Sequence, residues 1–297
     1  MIGIGEWAAL GTALAWTLSA LAWTSAGRRI GALATSFIRL IVAGVFLAIY
    51  GRLVRGLWFP SDAESHAWLY LGLSGFFGFF LADLLFFRAL VLIGPRLALL
   101  IQSLVPPLTA LLCWVYLGDR IDGLDWIGMG LTLAGICWVI LGRPAPGATP
   151  VGRTELRQGV LLSLAACVAV AIGLVLAKQG IGHYDAVAAT FIRVLAALAG
   201  FGLLITATGR WPAMGAAARQ SRVMALVAYG SFVGPFLGVA LSMVALRHCH
   251  AGVAATLIST SPVLILPFVV VVYRERLSAQ AVGGAFLSVL GVALLMY

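Results

Sequence analysis

Long, unbroken apolar stretches set the rhythm of the chain. Each runs for about twenty residues, the helix length that a hydrocarbon core of about 30 Å requires at about 1.5 Å per residue. Short breaks rich in Arg, Gly, Pro or Asp separate them. Ten spans are expected, near residues 6–26, 32–51, 67–90, 94–117, 124–142, 159–178, 186–207, 223–246, 251–272 and 280–297. The runs are continuously apolar rather than alternating, which argues against a transmembrane β-barrel. One break is longer than the rest: residues 143–158 (RPAPGATPVGRTELRQ) are rich in Pro, Gly, Thr and charge and read as a linker.

The pattern on one side of that linker returns on the other. Phe37-Ile38-Arg39 matches Phe191-Ile192-Arg193 at an offset of 154. Further on the offset settles at 156: Gly78 with Gly234, Phe80 with Phe236, Ala89-Leu90 with Ala245-Leu246, Ser103 with Ser259 and Pro106 with Pro262. Asp119-Arg120 then pairs with Glu275-Arg276, Gly128 with Gly284 and Gly135 with Gly291. Each half holds five spans, an odd number, so the second half begins on the opposite face of the membrane. The expected fold is therefore an all-α integral membrane protein of ten transmembrane helices. They form two inverted five-helix repeats around a central cavity, with residues 1–142 as the first repeat, 143–158 as the linker and 159–297 as the second.

Composition agrees with this reading. Of the 297 residues 62% are hydrophobic and only 10% charged, against about 25% charged in ordinary soluble domains. That excludes a cytosolic enzyme, a disordered chain and a secreted disulfide scaffold. The net charge of +9 is scattered between apolar runs, with no basic stripe or aromatic-basic module, so no nucleic-acid partner is expected. The basic residues read as loop charges that set orientation and meet anionic headgroups. Cys113, Cys137, Cys167 and Cys249 share no disulfide or zinc spacing and read as small packing residues. The first apolar run lacks a basic leader, so it reads as a span rather than a cleavable signal.

The paired FIR segments, the Pro late in the fourth and ninth spans, the acid-Arg pair after each of those spans (LGDR, YRER) and the Gly-rich span closing each half belong together. In that order, and duplicated, they resemble the EamA branch of the drug/metabolite transporter superfamily over essentially the whole chain. Within the branch the likeness is to YddG-type bacterial exporters of aromatic amino acids. The resemblance implies a multi-pass protein of the inner membrane that exports amino acids or related metabolites by alternating access. Its partners would be the small-molecule substrate and the bilayer, and it is expected to work as a monomer. Small multidrug members of the superfamily carry a membrane Glu in the first helix. Here the only acid nearby is Glu6, at the entrance of the span, so facilitated diffusion and proton coupling both stay open. Orientation divides the two lines of reasoning. The Arg and Lys distribution places both termini outside, whereas the resemblance places them inside.

Several residues could carry function. Asp83 lies deep in the third span, where a carboxylate costs about 2.5–3.5 kcal/mol on insertion scales. It could bind a substrate amino group or a proton, or form an ion pair with Arg39, Arg88 or Arg193. Its repeat counterpart is Val239, so the acid is asymmetric. Arg39 and Arg193 occupy matching positions and could clamp a substrate carboxylate or serve as gate or interface ion pairs. Phe79 and Phe86 share the face of Asp83 by i±3 or i±4 spacing and, with Trp16, are expected to line the cavity. Pro106, Pro107 and Pro262 break the helical hydrogen-bond ladder and are expected hinges, with Gln102, Ser103, Ser259, Thr260 and Ser261 beside the freed backbone. Gly230, Gly234 and Gly238 form a GxxxGxxxG packing series.

His248-Cys249-His250 lacks further ligands nearby, so no metal and no cofactor is expected. There is no P-loop, HExxH or GxSxG motif, and no enzyme activity is expected. A multidrug exporter of lipophilic cations is the alternative function. An intramembrane lipid-modifying enzyme is a remote one, since it would need an acid, His or Ser constellation that the sequence lacks.

Overall fold

The computed structural model describes residues 3–118, 122–141, 152–248, 257–258, 260–273 and 278–294. Every regular element among them is helical. Helix α1 (Ile4–Ile30) is followed by α2 (Ala32–Tyr50), which continues through a wider π-helical turn, Gly51–Arg55. Helix α3 (Ser65–Gly75) passes through a second π-helical stretch, Phe76–Leu81, into α4 (Ala82–Gln102). Then come α5 (Val105–Leu117) and α6 (Gly123–Leu141). Beyond residue 152 follow α7 (Arg153–Ile181), α8 (Ala186–Ala207), the short α9 (Trp211–Ala218) and α10 (Ser221–Ser231). A third π-helical stretch, Phe232–Gly238, leads into α11 (Val239–His248). Helices α12 (Ser261–Tyr273) and α13 (Ala279–Leu294) complete the described chain.

Among the described residues, five segments are both long and apolar enough to cross a membrane: Ala32–Arg55, Ser65–Gln102, Gly123–Ile140, Arg153–Ile181 and Ala186–Ala207. Three more, Val105–Tyr116, Ser261–Val272 and Ala279–Leu294, are apolar but shorter. Fewer helices than the expected ten therefore meet both criteria, for local reasons. Helix α4 is broken at Gly94, where φ is 75° and ψ is 168°, a region that only glycine occupies without strain. Pro95 follows. The boundary expected between residues 90 and 94 thus falls at a kink that separates two helical stretches. A second break follows at Ser103 and Leu104, whose N–H groups reach back to the carbonyls of Leu100 (3.1 Å) and Ile101 (3.0 Å).

The proline hinges sit differently from the expectation of kinks inside continuous helices. Pro106 and Pro107 stand in the first turn of α5, and Pro262 is the second residue of α12. In a first turn the missing N–H leaves nothing unpaired. The discontinuity precedes the prolines instead of being produced at them. Pro267 inside α12 and Pro235 inside the third π-helical stretch interrupt the ladder within elements.

Packing exchanges partners between the chain's two parts. Helix α1 lies against α10, Phe232–Gly238 and α11, while α7 lies against α3, Phe76–Leu81 and α4. Helix α2 packs on α8, and α6 on α13. Without a hydrophobic drive between helices in lipid, such contacts rest on close backbone approach. The α6–α13 seam is the tightest example. Gly135 faces the backbone of Gly284, and Gly291 faces Gly128 and Thr132, so that a methyl on Gly135, Gly284 or Gly291 would collide. Between them Thr132 Oγ1 donates to Gly128 O at 2.9 Å and approaches Ser288 O at 3.4 Å. The earlier glycine of each helix meets the later glycine of the other, so the two helices run antiparallel.

Helix α1 fully buries three hydroxyl side chains and satisfies each of them internally. Thr17, Ser19 and Thr24 are fully buried. Each hydroxyl donates to the carbonyl four residues back, at 2.8, 2.7 and 2.7 Å. This back-bonding makes a Thr- and Ser-bearing helix compatible with a waterless interior.

Candidate functional site

The third expected span delivers two groups to the interior. Phe79, in the π-helical stretch, and Asp83, at the start of α4, are four residues apart. That spacing places them on one face, about 6 Å apart along the axis. Each meets one of the two repeated arginines.

Arg39, on α2, and Asp83 form a buried ion pair through Nη2 and Oδ2. Both residues are at most 9% exposed. Two aromatic rings enclose the guanidinium: Arg39 Cζ lies 4.8 Å from the Trp23 ring and 5.1 Å from the Phe87 ring. Those rings meet at 5.7 Å. The arrangement combines charge neutralisation with cation–π contact, the conditions under which a membrane-embedded charge is tolerated. Of the three arginines considered for Asp83, the structure brings in Arg39. Arg88 is exposed.

Arg193, on α8, has a different setting. Its Cζ sits 4.2 Å from the Phe79 ring, and its Nε is enclosed with no hydrogen-bond partner. No carboxylate among the described residues pairs with it, whereas Arg39 has Asp83 and Arg55 has Asp62. Gly78 lies beside the guanidinium: a Cβ there would fall 3.3 Å from Nη2 and 3.4 Å from Gly173 Cα. Gly75 packs on the Arg193 backbone carbonyl. Its counterpart Ser231 places Oγ 3.5 Å from the Arg39 carbonyl. The two arginines thus have equivalent backbone surroundings and unequal charge partners.

The remaining residues take defined places. Phe86 packs at 6.1 Å on Phe87 and stays partly buried. Phe87, four residues after Asp83, is the ring that reaches Arg39. Trp16 packs against the same apolar cluster. Trp23 is 5% exposed and faces Arg39. Phe80 packs on Phe201 at 4.9 Å, away from both arginines. Gln102 lies at the helix break, where Cys167 Sγ of α7 donates to Ile101 O at 3.3 Å and lies 3.4 Å from Gln102 Oε1. Around the other restart, Ser261 Oγ donates to Ala13 O at 3.2 Å. Ser259 lies outside the described residues, as do Asp119, Arg120, Glu275, Arg276, Cys249 and His250. Gly230, Gly234 and Gly238 all face α1, at Trp23, Ser19 and Ala15 respectively.

A polar cluster missed by sequence reasoning links the loop after α2 to the loop before α8. Arg55 pairs with Asp62. The Tyr184 hydroxyl donates to Asp62 Oδ1 at 2.9 Å and receives Arg55 Nη1 at 3.3 Å. The Arg55 guanidinium lies 5.0 Å over the Tyr184 ring. Slight burial pulls the Asp62 carboxyl upward, but the Tyr184 hydroxyl, its own backbone and Arg55 outweigh it and hold it below its ordinary 3.8. Burial raises the Tyr184 hydroxyl above its ordinary 10.0, against the pull of Arg55.

The model of the EamA-like transporter family matches the chain twice, over residues 3–141 and 157–297. No curated protein matches it in sequence. Among 24 matching solved chains is one titled only "Crystal structure of protein". It is 21% identical, covers 98% of this chain and 95% of its own, and superposes with a TM-score of 0.59. At that identity the likeness concerns the fold alone.

Proposed function

The chain belongs to the EamA-like transporter family, and from that premise we propose that it exports amino acids, aromatic or neutral ones, or related small metabolites by alternating access. Membership makes it a multi-pass membrane transporter of small molecules within the drug/metabolite transporter superfamily, built from tandem EamA-like repeats, and not an enzyme. No group of three or more His, Cys, Asp or Glu among the described residues could hold a metal.

The proposed architecture is two inverted five-helix halves, residues 1–142 and 159–297, joined by 143–158 and set in the inner membrane. The reciprocal α6–α13 seam carries this reading. Gly128 and Gly284 are repeat counterparts, as are Gly135 and Gly291. Gly135 meets Gly284 while Gly291 meets Gly128, the exchange that a two-fold axis crossing antiparallel helices requires. The π-helical stretches begin at Phe76 and Phe232, also 156 apart. The proposed substrate path runs between the halves, past Asp83, Phe79, Phe86, Gln102, Ser259 and Trp16. Arg39, Arg193 and Arg88 are its candidate gate charges, and Pro106, Pro107 and Pro262 mark its hinges.

A lipophilic-cation exporter fits less well, because Asp83, the acid that faces this layer among the described residues, is engaged by Arg39. The test is uptake of a panel of labelled amino acids into proteoliposomes, with and without a pH gradient. Saturable flux that protein-free liposomes lack is expected. Flux indifferent to the gradient marks a facilitator. No flux for any amino acid contradicts the proposal.

A further inference from the structure

Two guanidinium groups and one carboxylate share the inner face of the third span. The carboxylate is committed: Asp83 receives Arg39, and Trp23 and Phe87 close over that cation. Arg193 has no such partner among the described residues, and the repeat counterpart of Asp83 is Val239, which carries no charge. Among the described residues the layer therefore carries one positive charge with no carboxylate paired to it. In a low-dielectric interior such a charge is costly unless it is paired.

The setting of Arg193 fits a ligand better than a structural partner. A guanidinium is planar, with its N–H donors in the plane of the group. The Phe79 ring lies against it at 4.2 Å and offers only apolar contact and the ring quadrupole. It supplies no acceptor for those N–H groups. Beside Nη2, Gly78 packs closely on the Gly173 backbone and brings no hydrogen-bonding side chain to the guanidinium. A fork of free donors with an apolar ring beside it is complementary to a carboxylate attached to an apolar or aromatic body.

We propose that Arg193 is the anchor for the substrate carboxylate, and that the site selects its substrate by this anion and not by an ammonium group. This rests on the transport reading above and deepens it. Because Asp83 is held by Arg39, a substrate amino group finds no free carboxylate here. Carboxylic acids lacking the amino group should therefore bind about as well as the corresponding amino acids. Amines lacking the carboxylate should not bind. Lipophilic cations are excluded for the same reason.

Binding is measured on detergent-purified full-length protein, by isothermal titration and thermal stabilisation, independently of flux. Three matched sets serve as probes: phenylalanine, 3-phenylpropionate and phenethylamine; leucine, 4-methylpentanoate and isoamylamine; methionine, 4-(methylthio)butyrate and 3-(methylthio)propylamine. The acid and amino acid of at least one set are expected to bind, and no amine is. Arg193→Gln should weaken carboxylate binding roughly 10- to 100-fold, the loss expected when a charged hydrogen-bond donor is removed. Arg193→Lys should recover part of it, and Arg193→Gln should leave the unliganded melting temperature close to wild type. The proposal is overturned if amines bind as well as acids, if no carboxylate in the panel binds, or if Arg193→Gln binds like wild type. Carboxylate binding without flux in proteoliposomes would instead remove the transport reading and leave the Arg193 site standing.

Discussion

Replacing Asp83 by Asn tests the buried ion pair directly. The substitution keeps the side chain's shape and removes its charge, leaving Arg39 in the interior beside Trp23 and Phe87 alone. Removing one partner of a buried pair costs about 3–5 kcal/mol, mostly as the penalty of the orphaned charge. Cation–π contact with a desolvated ring is worth about 2 kcal/mol, and it persists in the variant. The lower end, about 3 kcal/mol, is therefore expected for Asp83→Asn. Removing both charges should be far milder, since apolar replacements of a buried pair are often neutral. Arg39→Met with Asp83→Leu is expected within about 1 kcal/mol of wild type. The assay is reversible unfolding in mixed micelles, followed by the fluorescence of the nine tryptophans. An Asp83→Asn protein within about 0.5 kcal/mol of wild type, the range of an ordinary surface change, would refute the reasoning.

Three further outcomes follow from the packing. Gly284→Val places a side chain against Val139 and the Gly135 carbonyl; overpacking of this kind costs about 1–3 kcal/mol, read in the same unfolding assay. Gly94→Ala forces a non-glycine residue to φ 75° and ψ 168°, with an expected loss of about 1–3 kcal/mol; a loss below that range would mean the kink is absent in the membrane. Tyr184→Phe removes the hydroxyl shared by Asp62 and Arg55 and should speed hydrogen exchange in residues 56–64. The cluster also has a pH window. Asp62 is held below 3.8, so its contribution is present above that value and is lost as pH falls beneath it. Tyr184 is raised above 10.0, so its contribution is present below that value and is lost as pH climbs past it. A protection factor in the loop, taken relative to the intrinsic exchange rate at each pH, that changes between pH 6 and 8 would contradict this assignment.

Much of this arrangement is legible in the chain, and the rest is hidden for physical reasons. Helix positions follow from apolar run length, because a bilayer core dictates it. The equivalence of Arg39 and Arg193 follows from the repeated FIR segments. The asymmetry follows from Asp83 aligning with Val239 in the sequence repeat. Which arginine Asp83 selects does not follow, since Arg39, Arg88 and Arg193 are all plausible in sequence and only tertiary packing decides.

Phe87 could have been found: it lies four residues from Asp83, on the same helical face. Trp23 was harder, because Trp16 and Trp23 share a face and differ only in depth and neighbours. The π-helical stretches leave no composition signal, although their repetition 156 residues apart would have marked them once one was known. The proline positions were evident, but not that Pro106 and Pro262 begin helices. That depends on the breaks just before them, where Cys167 and Ala13 of the opposite half make the local contacts.

In the proposed architecture the two EamA-like repeats cross the membrane in opposite senses. Single cysteines introduced at Gly3 and Gly152, immediately before α1 and α7, in a background without Cys113, Cys137, Cys167 and Cys249, test it most directly. A membrane-impermeant maleimide added to intact cells and to inverted vesicles should label the two positions from opposite sides. Labelling of both from the same side would contradict the inverted arrangement.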